Sequence, residues 1–255
     1  MGFTIEAAAG CSRGRIRGNN EDNLYFAGRI LEQDHDGLQH PLSQTFLLDK
    51  EIGFCVFDGM GGEEAGEVAS YLSAQTMGKC FEMPHDTAVS PREFLFDVCI
   101  QMNQAVCDRT EALEAGRMGS TMVSFLFTES EVYVCNIGDS RAFRLRDDEW
   151  MVLSHDHVEL PPVGLRAKHK PRLTQHLGIF PDELTLEPYI AKGDLREGDQ
   201  YLLCSDGLTD MLSNIEICST LKSCDDVKFG VKKLIEQAVE NGGRDNITVI
   251  LCRIK

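Results

Sequence analysis

Acidic side chains at the ends of apolar runs are the groups in this chain best placed to do chemistry. Asp58 follows the run FCVF, Asp206 follows YLLCS, and Asp245 stands one residue before ITVILC. A carboxylate at a strand end sits on rigid scaffold and can reach a point shared with others. Several carboxylates meeting at one point repel one another unless a cation lies among them. Hard cations such as Mg²⁺ and Mn²⁺ take oxygen ligands of this kind. Asp-Gly and Asp-Asn are also common turn formers, so any one of the three has a plain structural reading.

The elements that must position these residues follow from periodicity. Leu24–Ile30, Gly53–Phe57, Ser120–Phe127, Glu131–Ile137, Arg141–Arg146, Glu149–Leu153, Tyr201–Cys204 and Ile247–Arg253 read as strands. Glu64–Met77 carries an apolar stripe at helical spacing, and its acidic start suits a helix N-terminus. Pro91 opens a second helix that runs to Leu113, and a late helix spans Val227 to Val239. The strands between 120 and 153 follow one another through tight polar turns, so they form an antiparallel meander in an α+β domain. Residues 155–172, with Pro161, Pro162 and several cations, read as a loop or flap.

Composition narrows the function classes. The chain has 255 residues and a formal net charge of −16, which opposes general nucleic-acid binding. No linker, repeat or charge block divides it, which points to one domain over 1–255; a monomer is the expected state. No apolar stretch is long enough to span a bilayer, and the first residues lack the pattern of a secretion signal. Ten cysteines without a CxxC pair, four of them inside apolar runs, fit a reduced cytoplasmic protein. Two Cys-x5-Arg spacings, Cys11 to Arg17 and Cys135 to Arg141, open the alternative of a cysteine-dependent phosphatase. Neither has a preceding His or a glycine-rich interior to wrap a phosphate.

Six blocks occur in one order: RGNNED (Arg17–Asp22), VFDGMGG (Val56–Gly62), GST (Gly119–Thr121), NIGDSR (Asn136–Arg141), SDGLTD (Ser205–Asp210) and GGRDNITV (Gly242–Val249). This series resembles the metal-dependent serine/threonine phosphatases of the protein phosphatase 2C family (PPM type), in their bacterial form. The resemblance implies a four-layer α/β/β/α sandwich, two antiparallel sheets flanked by helices. It also implies two Mn²⁺ or Mg²⁺ ions, with a third as an option. Asp58 matches the carboxylate that bridges both ions, with the Gly59 carbonyl completing one shell. Asp206 and Asp245 match ligands of the second ion, and Asp139 matches a third-ion ligand shared with Asp206. Glu21 and Asp22 match acidic residues that contact metal-bound waters. Thr121 and Asp210 match positions that orient such waters, and Arg17 matches the arginine that grips the substrate phosphate. The implied substrates are phosphoproteins, with a serine/threonine kinase as the opposing partner. A phosphoprotein-binding protein without catalysis is the remaining alternative. Three positions depart from the pattern. Met60 stands where eukaryotic members carry a histidine that protonates the leaving group. Glu63 replaces the His of a GMGGH block, and LTQHLG (Leu173–Gly178) replaces LTRALG. His155, His157 and His176 are the histidines on the flap side of the chain.

Overall fold

The computed structural model describes residues 2–61, 65–83, 89–113, 116–159 and 171–255. The chain runs β1 (Thr4–Ser12), β2 (Asp22–Phe26), β3 (Arg29–Ile30), β4 (Leu42–Leu47), β5 (Ile52–Gly61), α1 (Gly66–Glu82) and α2 (Pro91–Leu113). It continues with β6 (Met118–Ser120), β7 (Met122–Phe127), β8 (Glu131–Ile137), β9 (Arg141–Arg146) and β10 (Glu149–Val152). The last third holds β11 (Tyr189–Asp194), β12 (Gln200–Cys204), α3 (Asp206–Thr209), α4 (Asn214–Lys222), α5 (Val227–Glu240) and β13 (Ile247–Ile254).

The strands form two antiparallel sheets. One has the order β10-β9-β12-β13-β1-β4; the other has β11-β8-β7-β5-β2-β3, with β6 paired to β5. Period-two alternation explains how both faces of a strand find partners. On β5, Phe54 and Val56 point into the core between the sheets, where Phe125, Phe127 and Tyr201 also lie. Cys55 and Phe57 point the other way, against Met77 of α1 and Val98 and Met102 of α2. On the other sheet, Leu202, Val249 and Leu251 pack against Ile217 of α4 and Val231 and Leu234 of α5. Three apolar layers thus separate helices, sheet, sheet and helices. The four-layer order expected from the resemblance is the observed one.

Several elements differ from the sequence expectation. Leu24–Ile30 is a hairpin: Ala27 (φ 47°) and Gly28 (φ 96°) turn the chain between β2 and β3. Ser120–Phe127 is broken at Thr121, so β6 pairs with β5 beyond the main sheet. The first helix extends past Met77 to Glu82, while Glu63 and Glu64, where its start was expected, lie outside the described residues. So does the middle of the expected flap, 160–170; its two ends are zipped by Glu159 N–H to the Arg172 carbonyl (2.9 Å) and Thr174 N–H to His157 (2.9 Å).

Strand β1 gave no sequence signal, because alanines and a glycine have low strand propensity. Small residues are required there: a Cβ at Gly10 would stand 2.6 Å from Ile235 Cδ1 of α5. The helix therefore lies close on a strand held between β13 and β4.

Candidate metal centre

The acidic blocks gather where strand ends of both sheets meet. Asp22 and Asp58 are direct cross-strand neighbours in the β2–β5 pair, which sets their Cα atoms about 5 Å apart. Ser205, at the end of β12, donates its hydroxyl to Asp22 Oδ2 at 2.8 Å and so links the second sheet to the first. Asp206 follows Ser205 and starts α3. The adjoining Gly207 lies so near β13 that a Cβ would meet the Asn246 carbonyl at 1.9 Å and Asp245 Cβ at 3.4 Å. Asp206 and Asp245 are therefore neighbours. Arg17 reaches over the cluster and donates from Nη2 to Asp245 Oδ2 at 2.7 Å. That bond, with the charges of Glu21 and Asp58, raises the Arg17 pKa.

Burial makes the environment of Asp22 and Glu21 unfavourable to charge. Asp22 is 1% exposed. Burial pushes its carboxyl up to about 7, against the hydrogen bonds from Ser205 and Thr248, while Asp245 and Glu21 add repulsion. Its Oδ1 is buried without a hydrogen-bond partner. Burial likewise raises Glu21. Among the described residues, no three His, Cys, Asp or Glu side chains stand close enough to close around one ion. The fit to a cation rests instead on the donor set: hard oxygen donors from four strand ends, one carboxylate oxygen buried and unbonded, and a single guanidinium spanning part of the group. Such a donor set matches Mg²⁺ or Mn²⁺.

The other expected residues fall around this centre. Asp139 lies in the turn after β8, beside Ser140. Ser140 Oγ and Thr121 Oγ1 are 2.7 Å apart, and Thr121 N–H donates to the Asp58 carbonyl at 2.8 Å. Thr121 thereby joins the Asp139 turn to the Asp58 strand. Asp210 closes α3 and is exposed; its N–H donates to the Asp206 carbonyl. Gly59 has a structural requirement of its own: a Cβ would stand 2.1 Å from the Gly66 carbonyl oxygen and 2.6 Å from that of Glu21. Only glycine lets α1 begin this close to β5. Arg141 grips Asp156 with three hydrogen bonds of 2.5–3.1 Å and fixes one end of the expected flap.

Sequence reasoning missed two bracing residues. Asn246 accepts from Glu21 N–H (2.8 Å) and donates to the carbonyls of Arg13 and Asn19 (3.0 Å each), so it holds the loop that carries Arg17 and Glu21. His35 accepts from Gly37 N–H at Nδ1 (3.0 Å), which makes Nε2 the donor to the Asp22 carbonyl (3.0 Å). The only sequence signal for Asn246 is its place beside Asp245; for His35 there is none.

The cysteine alternative fails on the same geometry. Cys11 is buried, and burial pushes its thiol up to about 12. Cys135 is buried inside β8, with its sulfur 3.5 Å from that of Cys99. A thiolate nucleophile needs access to substrate, and neither buried residue has it.

Known proteins match this chain along its length. The family model for protein phosphatase 2C matches residues 43–229. The serine/threonine protein phosphatase PstP of Mycobacterium tuberculosis is 30% identical over 99% of this chain, which spans 45% of that relative's length. The serine/threonine phosphatase Stp of Listeria innocua is 31% identical over 94% of this chain and 92% of its own. Among solved structures, a Streptococcus agalactiae serine/threonine phosphatase superposes with a TM-score of 0.81 at 25% identity, covering 98% of this chain and 100% of its own. The catalytic domain of PstP in complex with two manganese ions superposes with a TM-score of 0.77 at 28% identity, covering 99% of each chain. With the family model covering most of its length and relatives of this identity beside it, the chain belongs to the protein phosphatase 2C family.

Proposed function

We propose that this chain is a metal-dependent protein serine/threonine phosphatase, acting as one catalytic domain on phosphoserine and phosphothreonine. The observation that carries the reading is the meeting of Asp22, Asp58, Asp206 and Asp245 at one end of both sheets, with Arg17 lying over Asp245. The PstP catalytic domain with two manganese ions supports the choice of cofactor.

Asp58, the Gly59 carbonyl, Asp206 and Asp245 would hold two Mn²⁺ or Mg²⁺ ions, and Asp139 with Asp206 would serve a third where one is bound. Bound there, such ions supply a hydroxide nucleophile near neutral pH and offset charge on phosphoryl oxygens. Glu21 and Asp22 would accept hydrogen bonds from the ions' waters, and Thr121 and Asp210 would steady the turns that carry Asp139 and Asp206. Arg17 binds the substrate phosphate; its planar fork suits two phosphoryl oxygens, and its half-exposed position leaves it open to solvent. The partners are phosphoproteins and the serine/threonine kinase that modifies them. Ten free cysteines fit a reducing cytoplasm.

The test is hydrolysis of a phosphothreonine peptide with Mn²⁺, with EDTA, and by Asp58→Asn and Arg17→Ala variants. The reading expects activity with Mn²⁺, none with EDTA or Asp58→Asn, and a raised KM for Arg17→Ala. Activity that survives EDTA or Asp58→Asn rules it out.

A further inference from the structure

Hydrolysis of a phosphoserine or phosphothreonine releases an alkoxide, a strong base and a poor leaving group. A proton must reach that oxygen as its bond to phosphorus breaks. The ends of β5 and β6 define where such a proton has to come from. Met60 is the cross-strand neighbour of Gly119, so the two residues face the same side of the strand pair. Asp58 precedes Met60 by two residues and faces that side as well. Gly59 and Gly61 face the opposite side, against Ala65 and Gly66 at the start of α1. The shared side of Asp58 and Met60 is therefore the side away from α1, where the ends of the two sheets meet. Neither Met60 nor Gly119 offers a proton there.

His176 fills the space above Gly119. A Cβ on Gly119 would stand 2.8 Å from His176 Nδ1 and 3.4 Å from its Cε1, so the imidazole rests where a side chain would be. Two hydrogen bonds between Ser120 and Leu177, of 2.8 and 3.1 Å, hold the segment bearing His176 against β6. Ser120 Oγ and Thr121 N–H in turn donate to the Asp58 carbonyl, at 3.1 and 2.8 Å. Diagonal neighbours on an antiparallel pair are about 7–8 Å apart, which is the distance this places between the Asp58 and Gly119 backbones. A phosphate ester bound between them would carry its ester oxygen toward the His176 side.

The tautomer is fixed. His176 Nδ1 lies 2.9 Å from the Leu177 carbonyl, an acceptor, so Nδ1 carries a hydrogen. Nε2 takes no part in that bond, and the ring is half-buried, so it is open to solvent on one side. His157, the rival on this side, has its Nδ1 occupied as acceptor for Gly138 N–H at 3.2 Å, so protonating that nitrogen breaks a bond.

We propose that His176 is the general acid of this enzyme, donating its Nε2 proton to the departing seryl or threonyl oxygen from the position above Gly119. The inference rests on the phosphatase reading. In the step, a bond forms from the attacking water oxygen to phosphorus. The ester P–O bond breaks with its electron pair on the leaving oxygen, the Nε2 proton moves to that oxygen, and solvent reprotonates the ring.

Two substrates separate this role from a structural one. p-Nitrophenolate is a stable anion and departs without a proton; a threonine alkoxide does not. With Mn²⁺, His176→Ala is expected to lose about 100-fold in kcat on a phosphothreonine peptide and no more than about threefold on p-nitrophenyl phosphate. Equal losses on both substrates, or no loss on the peptide, overturn the proposal. Thermal unfolding checks the fold of each variant, and His176→Gln repeats the comparison if the alanine variant is unstable. A wild-type chain inert on both substrates refutes the phosphatase reading and this inference together. One that hydrolyses p-nitrophenyl phosphate but not the peptide refutes the inference alone.

Discussion

Asn246 holds the Arg17–Glu21 loop by its side chain, and removing that side chain has a calculable cost. Its amide makes three hydrogen bonds to backbone, and the residue is 4% exposed. At about 1 kcal/mol net per bond, Asn246→Ala loses about 3 kcal/mol. For a chain of this size each kcal/mol moves Tm by about 2–4 °C, so the expected fall is about 6–12 °C. Asn246→Asp is the sharper perturbation. It preserves shape and the acceptor for Glu21 N–H, but turns a carboxylate oxygen toward the Arg13 and Asn19 carbonyls, which need donors. It also adds charge beside Asp245. The aspartate variant is therefore expected to be no more stable than the alanine variant near neutral pH, with reduced phosphatase activity from a displaced Arg17. Differential scanning fluorimetry in EDTA removes any contribution from cations. An Asn246→Asp protein melting within about 2 °C of wild type refutes the argument that this amide braces the loop.

Asp22 predicts an unusual pH dependence in EDTA. Burial lifts its folded pKa to about 7 from an ordinary 3.8, so its contribution to stability is full below about 4 and is lost as pH rises through about 7. Wild type, measured relative to Asp22→Asn, is expected to lose stability from pH 5 to pH 8; a gain over that range contradicts the burial argument. Arg17 pairs with Asp245 at the surface, a contact worth at most about 1 kcal/mol. Arg17→Ala should thus melt within about 3 °C of wild type while its KM rises, and an unchanged KM returns Arg17 to a purely surface role. Cys11→Ser should keep its metal-dependent activity, and iodoacetamide at pH 8 should modify the half-buried Cys218 before the buried Cys11. Loss of activity on alkylation of Cys11 revives a thiol mechanism.

The parts of this molecule legible in its sequence are those where local pattern and tertiary demand agree. Strand β8 was bounded correctly at Glu131–Ile137, as was α2 at Pro91–Leu113, because turn residues and a proline mark their ends. The strand-end aspartates were legible because a carboxylate after a buried run is conspicuous. Illegible features depend on partners far along the chain. The small residues of β1 make sense only beneath α5. Edge strands β4 and β11 are partly exposed, and their apolar residues do not alternate, so there is no period to read. Asn246 and His35 act through backbone groups of distant residues, and a bond to a carbonyl leaves no signature in the identity of the residue that owns it.

The centre is assembled from two kinds of restraint, and this decides how cations and stability are coupled. Asp22 and Asp58 are fixed by the ladder of one sheet, whose backbone pairing does not depend on their side chains. Asp206, which starts α3 just after β12, and Asp245, two residues before β13, are carried by the other sheet. The cross-links at this end are few and polar: Ser205 to Asp22, Arg17 to Asp245, and Asn246 to the Arg13–Glu21 loop. Elsewhere the sheets are joined by an apolar core. Repulsion among carboxylates acts at the one end where the joint is polar, so it tends to part the sheets there. A cation bound by Asp58 from one sheet and Asp206 or Asp245 from the other replaces that repulsion with a tie across the joint. Ligands that bind only the folded state stabilise it in proportion to the logarithm of their concentration over Kd. Here that stabilisation would fall on the contact between the two sheets.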